Sequence, residues 1–222
     1  MLISYTHKFI FIHVYHTAGT SIKEVLKEYA IDEPESFKIK RPLKKLEDSP
    51  NLIYNMWYSV VYHAKAKEIK KEFAPELYDN FYKFAFVRNP WDRLVSSYHH
   101  LLKDTWDLKH KIVKSMESFD EFVDWSVKKN NCTQKDFITD DKGQLIVDFV
   151  GRYESLEEDF SHICKILKID INLPRKNHTN HKDYKTYYSE RTKKIVEELF
   201  LEDIELFGYT FDGYSVGELA HG

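Results

Sequence analysis

Cysteine is nearly absent: Cys132 and Cys164 are the only two in 222 residues. Without a CxxC pair they read as free thiols of a reducing compartment, not as a disulfide staple. Glycine and proline are scarce as well. Seven Gly and six Pro, with no Ser/Gly linker and no internal repeat, set the expectation of one domain over residues 1–222. Long apolar runs are missing, the longest being four residues at Phe9 to Ile12 and Phe84 to Val87, so no integral membrane segment is expected. Met1 to Val14 lacks the basic start, apolar stretch and small-residue cleavage site of a secretory signal, and a cytoplasmic location is the expectation. Neither charge sign dominates. A balance of 33 Lys and Arg against 36 Asp and Glu leaves −3, which argues against a general nucleic-acid or membrane-surface binder.

What is abundant is core material: 42% hydrophobic and 15% aromatic residues, enough to argue against disorder. Lys8 to Val14 is a β-branched and aromatic run, and after a Thr-Ala-Gly-Thr-Ser turn Ile22, Val25, Leu26 and Tyr29 recur at helical spacing. That is strand, loop, helix. The unit repeats at Phe84 to Val87, followed beyond Arg88-Asn89-Pro90 by Leu94, Val95, Tyr98 and Leu101 on one helical face. A third strand is expected at Leu145 to Tyr153. Ser155-Leu156-Glu157-Glu158 then reads as a capping box ahead of a helix with Leu156, Phe160, Ile163, Ile166 and Leu167 as its apolar face. A further helix follows Ser118, another spans Ala64 to Phe73, and a long one is expected from Ser189 to Leu206. Alternating strands and helices imply an α/β fold with a central parallel sheet flanked by helices, and ligands in such sheets sit at the strand C-termini. The weakly periodic insertions 31–56 and 104–143 are where an acceptor would be gripped.

Two strand-end loops carry chemistry. Tyr15-His16-Thr17-Ala18-Gly19-Thr20-Ser21 puts small residues and hydroxyls at a helix N-terminus, where backbone N–H groups form an anion site. An ordinary N-cap by Thr20 or Ser21 is the plainer reading of the same residues. GxxxxGK[ST] is absent, which counts against a magnesium-dependent nucleotide kinase. Phe86-Val87-Arg88-Asn89-Pro90-Trp91-Asp92-Arg93-Leu94-Val95-Ser96-Ser97-Tyr98 places Arg88 at a strand end and Ser96 two turns into the next helix, where both can reach one tetrahedral anion. Taken singly, Arg88 could instead pair with Asp92, and Ser96 could be packing.

This pair of motifs resembles the sulfotransferase superfamily, and most closely its carbohydrate sulfotransferase branch. The resemblance extends to His63-Ala64-Lys65-Ala66, Ile146 to Glu154, Tyr184 to Tyr188 and Asp203 to Tyr209, and so spans nearly the whole chain. It implies a P-loop-like three-layer fold. It also implies 3′-phosphoadenosine 5′-phosphosulfate (PAPS) as donor, with PAP as product and no metal. Thr17, Ala18, Gly19, Thr20 and Ser21 would then hold the 5′-phosphosulfate, and Arg88 and Ser96 the 3′-phosphate. His63 would be the general base for an acceptor hydroxyl, with His13 its understudy. Arg175 and Lys176 would belong to a loop closing over the phosphosulfate.

One position departs from the family pattern. A Pro-Lys pair usually precedes the Thr-Ala-Gly-Thr-Ser loop, its lysine helping the leaving group depart, and here Tyr15 and His16 occupy those places. Either a protonated His16 takes the role, with a pH dependence that lysine lacks, or Lys23 or Arg175-Lys176 substitutes. Arg152 and Glu154 read either as an internal ion pair shaping the pocket or as groups that touch the nucleotide or acceptor. His178 and His181 have no Cys or carboxylate partners to complete a metal set. Lys38, Lys40, Arg41, Lys44 and Lys45 are either a solvated face or the lining of an acceptor groove, and the second reading would favour an anionic glycan. Trp57, Tyr58, Trp106 and Trp125 could stack on sugar rings or fill the core. The function expected is sulfuryl transfer from PAPS to a carbohydrate or glycoconjugate hydroxyl. The alternatives are a PAP-binding protein without turnover and a P-loop-like kinase.

Overall fold

The computed structural model describes residues 1–30, 63–72, 75–129, 132–173 and 181–215. In chain order these form strands β1 (Leu2–Ser4) and β2 (Phe9–Ile12), helices α1 (Gly19–Leu26), α2 (Ala66–Glu72) and α3 (Pro75–Asn80), and strand β3 (Tyr82–Val87). Helices α4 (Pro90–Lys103), α5 (His110–Lys114), α6 (Phe119–Val127) and α7 (Lys135–Ile138) follow, then strand β4 (Phe149–Arg152) and helix α8 (Leu156–Leu167). Helices α9 (Glu190–Leu199) and α10 (Leu201–Phe207) precede a small hairpin of β5 (Tyr209–Thr210) and β6 (Gly213–Tyr214). The described residues of 1–86 and 136–173 make one compact unit, and those of 87–135 and 181–215 make another.

The first unit holds a four-stranded sheet in the order β1-β2-β3-β4. β2 and β3 run parallel, with Phe9 opposite Tyr82 and Ile12 opposite Ala85. The fold is the mixed α/β class expected from the sequence. One strand was not expected: β1 pairs antiparallel to β2 as an edge, and its three residues are too few to show a period. Phe9, Phe11, Phe84 and Phe86 pack with Ile22 and Leu26 of α1 and with Phe160, Ile163 and Leu167 of α8. Ile10, Ile12 and Ala85, on the other face, are also wholly buried. That is why the run lacks the alternation of a half-exposed strand. Lys83, buried in β3, is held by Asp148 at 2.8 Å and by the carbonyl of Phe81 at 2.8 Å, the pairing a buried ammonium requires.

Helix boundaries differ from the sequence reading where a local turn intervened. Ser155 does not cap α8, because Tyr153–Ser155 forms a tight turn that leaves Ser155 at φ −116° and ψ 29°, outside the extended region a capping hydroxyl needs. Ser118, at φ −149° and ψ 163°, does cap α6 by accepting from the Glu121 N–H. The helix expected from Ser189 to Leu206 is two. α9 opens on a Ser189–Thr192 capping box and ends at Phe200, at φ −116° and ψ 26°, after which α10 begins. Phe200 and Asp203 are both buried across that break.

In the second unit Asn89 caps α4 by accepting from the Trp91 N–H, with Pro90 in the first turn. Trp91, Leu94, Val95 and Leu101 of α4 then pack with Val113, Phe119, Phe122, Val123, Val196 and Phe200. Gly151 supplies a fold-level test in the first unit. A Cβ there would lie 2.5 Å from the Phe86 ring, so Gly151→Ala should lower stability by about 1–3 kcal/mol, the usual cost of overpacking, measured by denaturant unfolding.

Candidate functional site

The loop between β2 and α1 turns through backbone conformations that its residues disfavour. His16 has φ 63° and Ala18 φ 64°, two of four non-glycine residues at positive φ among those described. Each such residue costs roughly 1–2 kcal/mol. Strain of this kind persists where surroundings over-determine it and concentrates at ligand clamps. Thr17, between them, is fully buried and donates its hydroxyl to the Val14 carbonyl at 3.0 Å. Ala18 stands at the N-cap of α1 and makes no side-chain cap, so neither Thr20 nor Ser21 fills that position as the plainer reading expected. Alternating backbone handedness that leads into a helix N-terminus is the geometry of an anion nest.

A histidine cluster flanks this loop. His63 Nδ1 lies 3.1 Å from the His13 carbonyl oxygen; a carbonyl can only accept, so Nδ1 carries the proton and Nε2 is the ring's basic nitrogen. Tyr15 stacks on His63 with centroids 3.6 Å apart, and the His13 and His63 rings lie 4.5 Å apart. The Tyr15 ring meets Phe137 edge-on at 5.6 Å. Burial pushes His63 down to about 4, an effect the bond to His13 opposes and the charge of Lys23 reinforces. His13 is pushed far down by burial first and then by positive neighbours that include His63, Lys23 and His16. Lys23 is itself lowered to about 8 by burial. The cation offered as a substitute for His16 therefore lies close enough to bear on both histidines.

Gly19 is buried against this cluster. A Cβ on it would fall 1.8 Å from Cδ2 of His13, so glycine is needed here for close approach and not for an unusual φ.

In the second unit Arg88 follows the last residue of β3. It is buried, and its Nε donates to Oδ2 of Asp92 at 2.8 Å, so the pairing weighed in the sequence is present. Ser96 is buried one helical turn beyond Asp92 in α4. Asp92 also lies 3.9 Å from Nε2 of His181, whose ring stacks on His99 at 5.4 Å. The backbone of Arg88 is bonded twice to one side chain that the sequence did not single out. Its N–H donates to Oε1 of Gln134, and Nε2 of Gln134 donates to its carbonyl, both at 2.8 Å. Gln134 and Lys135 donate their backbone N–H groups to Asp203 at 2.8 Å each. No spacing rule links 88, 134 and 203.

Other expectations fall out variously. Arg152 is buried, and its backbone N–H donates to the Asp159 carboxylate at 2.6 Å. Trp106 is almost fully exposed, while Trp125 packs against the core of the second unit. Among the described residues no His, Cys, Asp and Glu group could hold a metal ion, and no helix is long and apolar enough to cross a membrane. Arg175, Lys176, His178, the basic run 38–45, Trp57 and Tyr58 lie outside the described residues.

The histidine cluster has a measurable consequence. An unfolded histidine protonates near 6.5, whereas folded His63 stays neutral down to about 4, so between those values the unfolded chain binds more protons and stability falls as pH falls. His63→Asn, which keeps an N–H donor for the His13 carbonyl, should flatten the stability difference between pH 7.5 and pH 5 measured by denaturant unfolding. An unchanged difference would contradict the burial of that imidazole.

Comparison with known proteins bears on the family. A sequence model of the sulfotransferase family matches residues 1–210. An uncharacterized protein of Archaeoglobus fulgidus is 37% identical over 110 residues, which cover 48% of this chain and 80% of that protein. A match over almost the whole chain, on a mixed α/β fold with a strained strand-to-helix loop, places the chain in the sulfotransferase family, enzymes that transfer a sulfuryl group.

Proposed function

We propose that the chain transfers a sulfuryl group from PAPS to a hydroxyl of a carbohydrate or glycoconjugate. The observation that carries the donor assignment is the glycine-poor left-handed turn at His16 and Ala18 leading into the N-terminus of α1. Its donor set fits a phosphosulfate: backbone N–H groups at a helix start, the hydroxyls of Thr20 and Ser21, and cationic side chains at His16 and Lys23. PAPS, when bound, supplies the sulfuryl group and PAP as the departing nucleotide.

In this reading residues Thr17 to Ser21 hold the 5′ end of the nucleotide, and Arg88 with Ser96 holds the 3′-phosphate. Arg88 gives Nε to Asp92, and its terminal nitrogens are the fork that suits a phosphate. Arg175 and Lys176 keep their proposed place over the phosphosulfate. His63 takes the acceptor proton on Nε2, because Nδ1 is committed to the His13 carbonyl. A low proton affinity keeps the imidazole neutral near pH 7, ready to accept, and bound anionic substrate would raise that affinity. Protonated His16 offsets charge on the departing oxygen, the task of lysine in the family pattern. A carbohydrate acceptor follows from the branch of the family that the motifs resemble. A cytoplasmic, metal-independent enzyme is the matching proposal for location and cofactors.

The substitution at position 16 favours one second reading, a protein that binds PAP without turnover. Calorimetric titration with PAP in the absence of metal, set beside ATP with magnesium, tests the donor site. PAP binding without metal supports it. A preference for ATP with magnesium would overturn it. Arg88→Ala should weaken PAP binding by roughly 1.5–3 kcal/mol, the worth of a charged hydrogen bond. His63→Ala should leave PAP affinity intact and slow sulfuryl transfer by about a hundredfold or more. His16→Lys should extend activity to alkaline pH; an unaltered pH profile would remove His16 from the mechanism.

A further inference from the structure

We infer that Gln134, fixed by Asp203, is a positioning residue that sets the nucleotide affinity of the Arg88 site through the Arg88 backbone; the inference rests on the proposed reading of Arg88 as a phosphate ligand.

Arg88 occupies an awkward place in the chain. β3 ends at Val87, Asn89 already caps α4, and Pro90 opens the helix, so the backbone leaves the sheet ladder and enters the helix within two residues. A group in such a connection must find partners outside regular structure, since buried backbone polar atoms are rarely left unbonded. Gln134 supplies both. Its amide accepts from the Arg88 N–H and donates to the Arg88 carbonyl, each at 2.8 Å, the same two-way exchange that a neighbouring strand would make at one rung of an antiparallel ladder. A primary amide can do this because it carries a donor and an acceptor side by side.

The amide is itself anchored. Gln134 is fully buried, and both its own N–H and that of Lys135 donate to Asp203 at 2.8 Å. Asp203 is equally buried and lies 3.9 Å from Nη2 of Arg93, so the carboxylate that holds Gln134 also meets a cation of α4. Burial raises the Asp203 carboxyl, while Arg93 and the two N–H groups oppose that rise. Arg88 is thus located at three points: its backbone by Gln134, its Nε by Asp92 and the next residue by the Asn89 cap, whose Nδ2 also donates to the Thr210 carbonyl at 2.8 Å. Asp92 and Asn89 are local to the motif. Gln134 and Asp203 bring the restraint from distant parts of the sequence. An arginine fork binds a phosphate well only if its orientation is settled beforehand, and small misplacements are costly.

The test is a double-mutant cycle on PAP affinity, measured by calorimetry on the full chain with Arg88→Ala, Gln134→Ala and the pair, accompanied by thermal unfolding. Gln134→Ala should weaken PAP binding by about tenfold, and in the Arg88→Ala background it should add little further loss, the non-additivity of a residue acting through another. A second variant covers the case in which Gln134→Ala does not fold. Gln134→Glu can accept from the Arg88 N–H, but as a carboxylate it has nothing to donate to the Arg88 carbonyl. Its affinity deficit relative to wild type at the same pH should shrink as pH falls and the buried carboxyl regains a proton. A purely structural glutamine would show lower thermal stability in these variants with unchanged PAP affinity of the folded protein, and that result overturns the inference, as does a loss that simply adds to that of Arg88→Ala. If Arg88→Ala alone binds PAP as wild type does, the reading of Arg88 fails instead, and the two failures are told apart by that single variant.

Discussion

The turn from β2 into α1 is the constraint on which the first unit's chemistry depends. His16 and Ala18 hold a left-handed backbone without the freedom of glycine, so the surrounding structure must enforce it. The wall is visible: β2 is buried on both faces, Thr17 ties back to Val14, and the His13 ring presses on Gly19 so closely that no side chain fits there. The same His13 offers its carbonyl to His63. One short segment therefore fixes both the direction of the backbone N–H groups at the start of α1 and the tautomer of the imidazole proposed as base.

Charge is handled differently in the two units. In the first, histidines and a lysine crowd together under partial burial, and the result is depressed proton affinity, which an arriving anion would raise. In the second, Arg88 and Arg93 are buried with carboxylates in place, Asp92 and Asp203. A buried guanidinium cannot shed its proton, so it must be paired, and pairing fixes its direction. Preorganised donors of that kind are what transfer of a charged group requires.

Much of this was legible in the sequence because it is local. FIFI and FAFV announced β2 and β3, the Asn89-Pro90 step announced α4, and both expected loops lie between a strand and a helix. Departures came where the outcome depends on partners far along the chain or on a single turn. Ser155 has the letters of a capping box, yet a preceding tight turn removes the conformation it needs. Phe200 breaks a helix that periodicity alone would continue, and its side chain and that of Asp203 are both buried across the break. Tyr15 looked like the loss of a family proline, and only the fold reveals it stacked on His63. Gln134 carries no sequence signature at all, since its meaning lies in two bonds to a residue 46 positions away.

The central claim is that the backbone of the β2–α1 loop grips the 5′ end of the donor. The most direct measurement is the change in amide proton and nitrogen shifts as PAP is titrated into isotopically labelled protein. The account predicts the largest changes at Thr17, Ala18, Gly19, Thr20 and Ser21, with downfield proton shifts as those N–H groups bond to phosphate oxygens. Saturable PAP binding that leaves these five amides unmoved would contradict it.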